Sequence, residues 1–291
     1  MIRIQNRGSA SELVWAYCLD RQDDFECWHF GSNVRDVAFW LPPCAMRGAD
    51  PDGQLLLVEF GQPDSPHPIH DLVIIPGVGD RSIIDRHVAW IPSGKEYILR
   101  DIWGMLGYLR DPALRTFYHS VLTDDALMEI FYKAQASHHH HHDYVGGLVD
   151  HSHEVATTAA SLCLQHKIGA LSASVAFVGG LFHDIGKTYL YYNQHGESGC
   201  CGQHEAFNFM VMARPLDKLR MSSPKIFEAL SSCLAIKVGR HPDAYLPANM
   251  VHLCDRLSVD VCNWRRAFAD APSFYWYAKS PVDAHLYKRL S

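Results

Sequence analysis

Gly180-Leu181-Phe182-His183-Asp184-Ile185-Gly186-Lys187 is the stretch around which the rest of the chain organises. It closes the nearly apolar run Ala170 to Phe182, 13 residues with two serines. That run is too short to span a bilayer, which takes roughly 20 residues, so it reads as a buried helix. At its end, His183 and Asp184 offer an imidazole nitrogen and a carboxylate oxygen to one point in space, a donor pair suited to a hard or borderline divalent ion. Gly186 lets the backbone turn away close by, and Lys187 can meet an anionic substrate as a point charge. A buried histidine hydrogen-bonded to an aspartate is the commoner meaning of such a pair, so the reading depends on partners elsewhere.

Those partners are present. Upstream, Tyr144-Val-Gly146-Gly147-Leu-Val-Asp150-His151 places His151 at the opening of a helix that continues through Glu154. Downstream, Met250-Val-His252-Leu-Cys-Asp255-Arg256-Leu sets an aspartate inside an otherwise apolar helix, which is costly unless the carboxylate is paired or metal-bound.

The chain has 291 residues, 26 Lys plus Arg against 32 Asp plus Glu, a net charge of −6, and 19 histidines. At 48% hydrophobic and 20% charged it is an ordinary globular composition with room for one or two domains, neither disordered nor fibrous. The acidic balance argues against a surface coated in nucleic-acid-binding charge but leaves room for a local basic groove. The first residues lack a secretory signal pattern, and the expected location is cytoplasmic, with no membrane partner. Nine cysteines without C-x-x-C spacing fit neither a disulfide framework nor a zinc ribbon. Most read as buried thiols, with Cys200 and Cys201 the pair that could be ligands or redox-active.

Up to about residue 97 the chain breaks into short β-prone runs: Val14 to Leu19, Phe25 to Phe30, Val37 to Leu41, Leu55 to Phe60, Leu72 to Ile75 and His87 to Ile91. Turn formers such as Asp50-Pro51-Asp52-Gly53 separate them, which suggests a small barrel or sandwich. From Arg100 the texture becomes helical. Asp111-Pro112 and Thr123-Asp124-Asp125 read as helix starts, and apolar residues recur at helical spacing through Val155 to Leu164, Leu171 to Phe182, Phe207 to Met212, Ile226 to Ile236 and Met250 to Val261. The expected class is α+β: a small N-terminal all-β accessory domain over residues 1–98, then an all-α domain over 99–291, with the seam near 95–105.

The order His151, then His183-Asp184, then Asp255 resembles the HD superfamily of metal-dependent phosphohydrolases over about residues 100 to 262. The fuller string, histidines before Tyr144-Val-Gly146-Gly147 and then His183-Asp184-Ile-Gly186-Lys187, is similar to two branches. One comprises exoribonucleases with an N-terminal OB-fold, by analogy with which the β domain would be OB-like. The other is the HD relaxase domain of MobH-class conjugative TraI proteins. The resemblance implies one or two divalent ions, Mn, Fe, Ni or Zn, bound by His151, His183, Asp184, His204, His241 and Asp255. Asp184 would bridge the two ions and a metal-bound hydroxide would attack a phosphoester. It further implies catalytic roles for Asp184, Lys187 and His142, and substrate contacts from His141, His142, Tyr144, Lys187 and His195. His153, two residues after His151 on a helix, points elsewhere.

The run His138 to His142 reads as a polar connector for its first three members, with His141 and His142 at the site. Arg214, Lys218, Arg220 and Lys225 form one basic cluster, and Arg265 and Arg266 beside Trp264 another, followed by Phe274-Tyr275-Trp276-Tyr277. Interleaved aromatics and cations can stack bases, although such stripes more often belong to a core or an interface. The expected activity is a phosphodiesterase or nuclease on single-stranded DNA or RNA. The alternatives are a nucleotide or cyclic-nucleotide phosphohydrolase and a non-catalytic DNA-processing protein of a mobile element. The sequence contains no G-x-x-x-x-G-K-[ST] loop, so ATP-driven helicase activity is not expected.

Overall fold

A computed structural model describes residues 11–61, 67–137, 142–192, 204–235, 242–281 and 284–290. His138 to His141, His195, Cys200, Cys201 and His241 lie outside the described residues. The chain divides into two compact units, residues 1–119 and 120–291. Its class is α+β, with the sheet first and the helices after it.

The first unit is built on strands β1 (Ser11–Gln22), β2 (Phe25–Gly31), β3 (Asp36–Leu41), β4 (Gln54–Phe60) and β5 (Ile69–Ile74). They form one antiparallel sheet in the order β3-β2-β1-β4-β5. Val14 and Ala16, Trp28 and Phe30, Leu56 and Val58 alternate along their strands and meet in one apolar cluster with Met46 and Phe60. This is the two-residue period expected of a sheet face. β4 is buried at almost every position because helix α2 (Glu96–Tyr108) lies across β1, β4 and β5.

Five of the six expected β runs are strands; the sixth, His87 to Ile91, is not. It ends helix α1 (Arg81–Trp90), whose start is fixed by Asp80 accepting the Ser82 N–H at 2.9 Å. Ile84 and His87, three residues apart, are its buried stripe, and Trp103 of α2 donates its indole N–H to His87 Nδ1 at 3.3 Å. An apolar run of this length is ambiguous between strand and helix, and here the cap decides it. Helical structure therefore starts at Arg81 rather than near Arg100.

Helix α3 (Pro112–Leu122) starts as its sequence implies, with Asp111 accepting from the Leu114 N–H at 2.9 Å. In the second unit, α4 (Asp125–Lys133) is capped by Asp124. The frame of this unit is α5 (Gly147–Gln165), α6 (Ala170–Phe182), α7 (Lys187–Tyr192), α8 (His204–Val211), α9 (Ala213–Ser222), α10 (Pro224–Leu234) and α11 (Leu246–Ala267). A short hairpin, β6 (Tyr277–Lys279) with β7 (Leu286–Lys288), follows. No helix among the described residues is long and apolar enough to cross a membrane.

Helix α6 is apolar on all sides because it is enclosed on all sides, by α5, α10 and α11. Two glycines let the neighbours approach. A Cβ on Gly180 would stand 2.8 Å from the Ala156 Cα of α5, and one on Gly179 would stand 2.4 Å from the Cys233 Cβ of α10. Gly180→Ala gains about 1 kcal/mol of helix propensity but must push two backbones apart, an overpacking cost of about 1–3 kcal/mol. The expected net effect is a loss of stability, read as a lower urea midpoint for the helical unit at an unchanged m-value.

Candidate metal centre

The site is assembled where α5, α11 and the turn after α6 meet. His183 is the C-cap of α6, and its Nδ1 donates to the Gly180 carbonyl at 2.7 Å. A carbonyl can only accept, so Nδ1 carries the proton and Nε2 faces inward. The turn itself is held by Asn208 of α8, which is fully buried. Its carboxamide oxygen accepts the Gly186 N–H at 2.7 Å, and its NH2 donates to the carbonyls of His183 and Leu234. α8 lies so close that a Cβ on Gly186 would be 2.2 Å from the His204 carbonyl. Gly186 thus serves less to turn the chain than to admit the helix that delivers His204.

His151 sits in the first turns of α5 and is completely buried. The Ser258 hydroxyl of α11 donates to Glu154 Oε2 at 3.0 Å, so it accepts from His151 Nδ1, 3.1 Å away. This fixes the His151 tautomer with Nε2 turned to the centre. α5 begins where it does because Gly146 adopts a left-handed φ of 77° and Gly147 lies against the His142 carbonyl, which a Cβ would approach to 2.0 Å.

The donors converge as the sequence implies. Ligand atoms of His151, His183 and Asp255 all lie within 4.8 Å of one another. His151 Nε2 is 3.1 Å from Asp255 Oδ1 and 3.4 Å from Asp184 Oδ2; His183 Nε2 is 3.5 and 3.6 Å from the same two atoms. Asp184, buried behind them, also receives Lys187 Nζ on Oδ2 at 2.6 Å and His204 Nε2 on Oδ1 at 2.6 Å. Asp255, on α11, is the more open member of the group.

Burial opposes ionisation of Asp184, yet Lys187, His183, His151 and His204 outweigh it and hold its carboxyl well below the usual range. Burial likewise opposes ionisation of Asp255, and His151 and His183 reverse the balance. His183 shows the converse: burial disfavours its cation, but Asp184 and Asp255 raise its pKa to about 9.

A divalent ion fits this donor set. Two imidazoles with protons fixed on Nδ1 direct Nε2 lone pairs toward two ionised carboxylates, an arrangement that only a proton or a cation between them can stabilise. The separations of 3.1 to 3.6 Å also match neighbouring ligands around an ion with bonds of about 2.0–2.2 Å.

The remaining expected site residues divide. His142 is buried beside the cluster, its ring 5.4 Å from that of His151, and is hydrogen-bonded through Nδ1 to the Tyr144 hydroxyl at 2.9 Å. Tyr144 passes its proton toward Asp150 Oδ2 at 2.6 Å; burial and Asp150 both push the phenol pKa upward. Lys187 is buried against Asp184 rather than extended into solvent. His153 is not among the clustered donors. His141, His195 and His241 lie outside the described residues. Ser258, Glu154, Asp150 and Asn208 were invisible to pattern reading, since a single neutral or acidic residue on a helix carries no spacing signal.

The family model of the HD domain matches residues 148–260, a span that contains His151, His183, Asp184, His204 and Asp255. Residues 148–260 are thus similar to an HD domain. A second family model, TraI_2, described as "Putative helicase", matches residues 89–190, so the chain resembles an HD-superfamily protein of the TraI kind. No curated protein and no solved structure matches the chain. HD domains bind divalent metals and belong to metal-dependent hydrolases, in accord with the His-His-Asp cluster.

The Ser258 hydroxyl orients the His151 imidazole from behind. Ser258→Ala should weaken manganese binding about 10- to 100-fold in calorimetry while leaving the thermal midpoint of the metal-free protein little changed, and Ser258→Thr should restore most of the affinity.

Proposed function

We propose that the helical unit is a metal-dependent phosphodiesterase acting on single-stranded nucleic acid, TraI-like or exoribonuclease-like, with the N-terminal sheet as an accessory part. The observation that carries this reading is the convergence of His151, His183, Asp184 and Asp255 around one point, with Lys187 on the Asp184 oxygen that faces the two histidines and His204 on the other oxygen. His151, His183, Asp184 and Asp255 would hold one ion. His204 would serve a second together with His241, whose placement lies outside the described residues. A bound divalent ion makes water acidic enough to act at neutral pH and offsets charge on the phosphoryl oxygens.

The chain's own groups supply the rest. Lys187 keeps Asp184 ionised and adds positive charge beside the point where a phosphate would sit. His142, whose Nδ1 is held by Tyr144 and Asp150 and whose Nε2 stands 3.8 Å from Glu154 Oε2, would as the imidazolium hand a proton to the leaving oxygen. Tyr144 is partly exposed, so its ring and hydroxyl can also meet the substrate. The more open carboxylate of Asp255 marks the side from which the phosphodiester approaches.

Manganese-loaded protein assayed against end-labelled single-stranded RNA, single-stranded DNA, mononucleotides and cyclic nucleotides tests the proposal. Strand cleavage is expected, with Asp184→Ala losing both bound metal and more than about 100-fold of the activity, beyond the scale of outer-shell changes. Turnover confined to mononucleotides or cyclic nucleotides would make the protein a nucleotide phosphohydrolase. Strand binding without turnover across a metal series would make it an accessory DNA-processing protein. Unchanged metal content in Asp184→Ala would overturn the site itself.

A further inference from the structure

We infer that the aromatic hairpin after α11 is a stacking platform for single-stranded nucleic acid; the inference rests on the phosphodiesterase reading for its substrate. Four consecutive aromatic residues, Phe274 to Tyr277, belong by composition in a core, but here none is buried. Phe274 is 75% exposed and Trp276 53%. Exposed apolar surface of this kind marks an interaction site more often than chance.

The display is fixed rather than loose. Arg289 donates from Nε to the Tyr275 carbonyl at 2.7 Å, from its guanidinium to the Pro272 carbonyl, and from its backbone N–H to the Trp276 carbonyl at 2.9 Å. Its guanidinium also lies over the Phe268 ring at 4.6 Å. Trp264, near the end of α11, donates its indole N–H to the Lys288 carbonyl at 3.0 Å. The rings are therefore held outward by a backbone that is itself pinned to the helix, so little ordering remains to be done when a ligand arrives.

Charge selects the ligand. From Trp264 to Leu290 the sequence has five cationic residues against Asp270 and Asp283; Arg265 and Arg266 already face Glu154 and Asp143, which leaves Lys279, Lys288 and Arg289 as the basic side of the hairpin. Lys288 Nζ stands 5.3 Å from the centre of the Trp276 ring, so a phosphate contact and a stacking face occur side by side. An apolar protein partner would gain nothing from these cations, whereas a polyanion with accessible base faces uses both. A duplex keeps its base faces internal, which leaves a single strand.

The test uses the full manganese-loaded chain with Phe274→Ala, Trp276→Ala and Trp276→Phe. Anisotropy of labelled 15-mer dT and rU strands reads binding, and hydrolysis of bis(p-nitrophenyl) phosphate reads basal chemistry. Each alanine variant should bind the strands roughly 5- to 100-fold more weakly and hydrolyse the small diester at the wild-type rate, and Trp276→Phe should keep most of the binding that Trp276→Ala loses. Wild-type strand binding and cleavage in both alanine variants would overturn the platform and leave the phosphodiesterase reading standing. Strands that bind through Trp276 but are never cleaved would uphold the platform and overturn that reading. Equal losses on strand and small diester, or a wild-type dimer that the variants convert to monomer in sedimentation, would also overturn the platform.

Discussion

The buried carboxylate of Asp184 is the constraint to which the helical unit is fitted. An ionised carboxylate removed from water costs several kcal/mol unless its lone pairs are met by donors and its charge by cations. Here the partners come from three separate helices: His151 from α5, Lys187 from α7 and His204 from α8, with His183 in the turn beside it. Each of those helices is thereby tied to the end of α6, and none can shift without leaving the charge uncompensated. Removing one member of such a set is worse than removing all of it, so the chemistry and the packing share one point of failure.

That constraint requires backbones to come closer than side chains normally allow. Gly180 lets α5 lie on α6, Gly186 lets α8 lie on the turn, and Gly147 lets the His142 backbone lie on the start of α5. Asn208 then converts the close approach at the turn into three hydrogen bonds inside an otherwise apolar region. A buried carboxamide is costly when half satisfied and stiffening when fully satisfied. The precision of the His183-Asp184 geometry therefore originates in a neutral side chain 24 residues downstream of Asp184.

The metal-facing residues were legible in the sequence because histidine and aspartate rarely interrupt apolar helices without cause, and four such interruptions fell in one order. The glycines beside them were legible as well, though not their purpose: Gly186 reads as a turn former, but its role is to admit α8. Asn208, Ser258 and Glu154 were not legible, since their significance lies in contacts between residues 22 to 107 positions apart, and a single sequence encodes no such pairing. In the first unit, alternation identified five strands, while His87 to Ile91 misled because its burial comes from Trp103 and the α2 face rather than from a sheet. Phe274 to Tyr277 misled in the opposite direction: composition argues for burial, and Arg289 instead holds the tetrad outward.

On the proposed reading, the donor cluster and the aromatic hairpin would meet different parts of one ligand. Around Asp184 the protein has concentrated donors whose spacing suits a small hard cation, in a pocket where water competes poorly and charge interactions are strong. Between that cluster and the hairpin pinned to the end of α11 the chemistry changes from point-charge compensation to broad, sequence-tolerant ring surface. Because Glu154 and Asp143 engage Arg265 and Arg266 at the end of the same helix, these cations are partly neutralised by α5 and the turn before it. A phosphate backbone crossing this stretch would have to displace those acidic partners, and that competition makes strand engagement more sensitive to salt than capture of a small diester at the metal-facing residues.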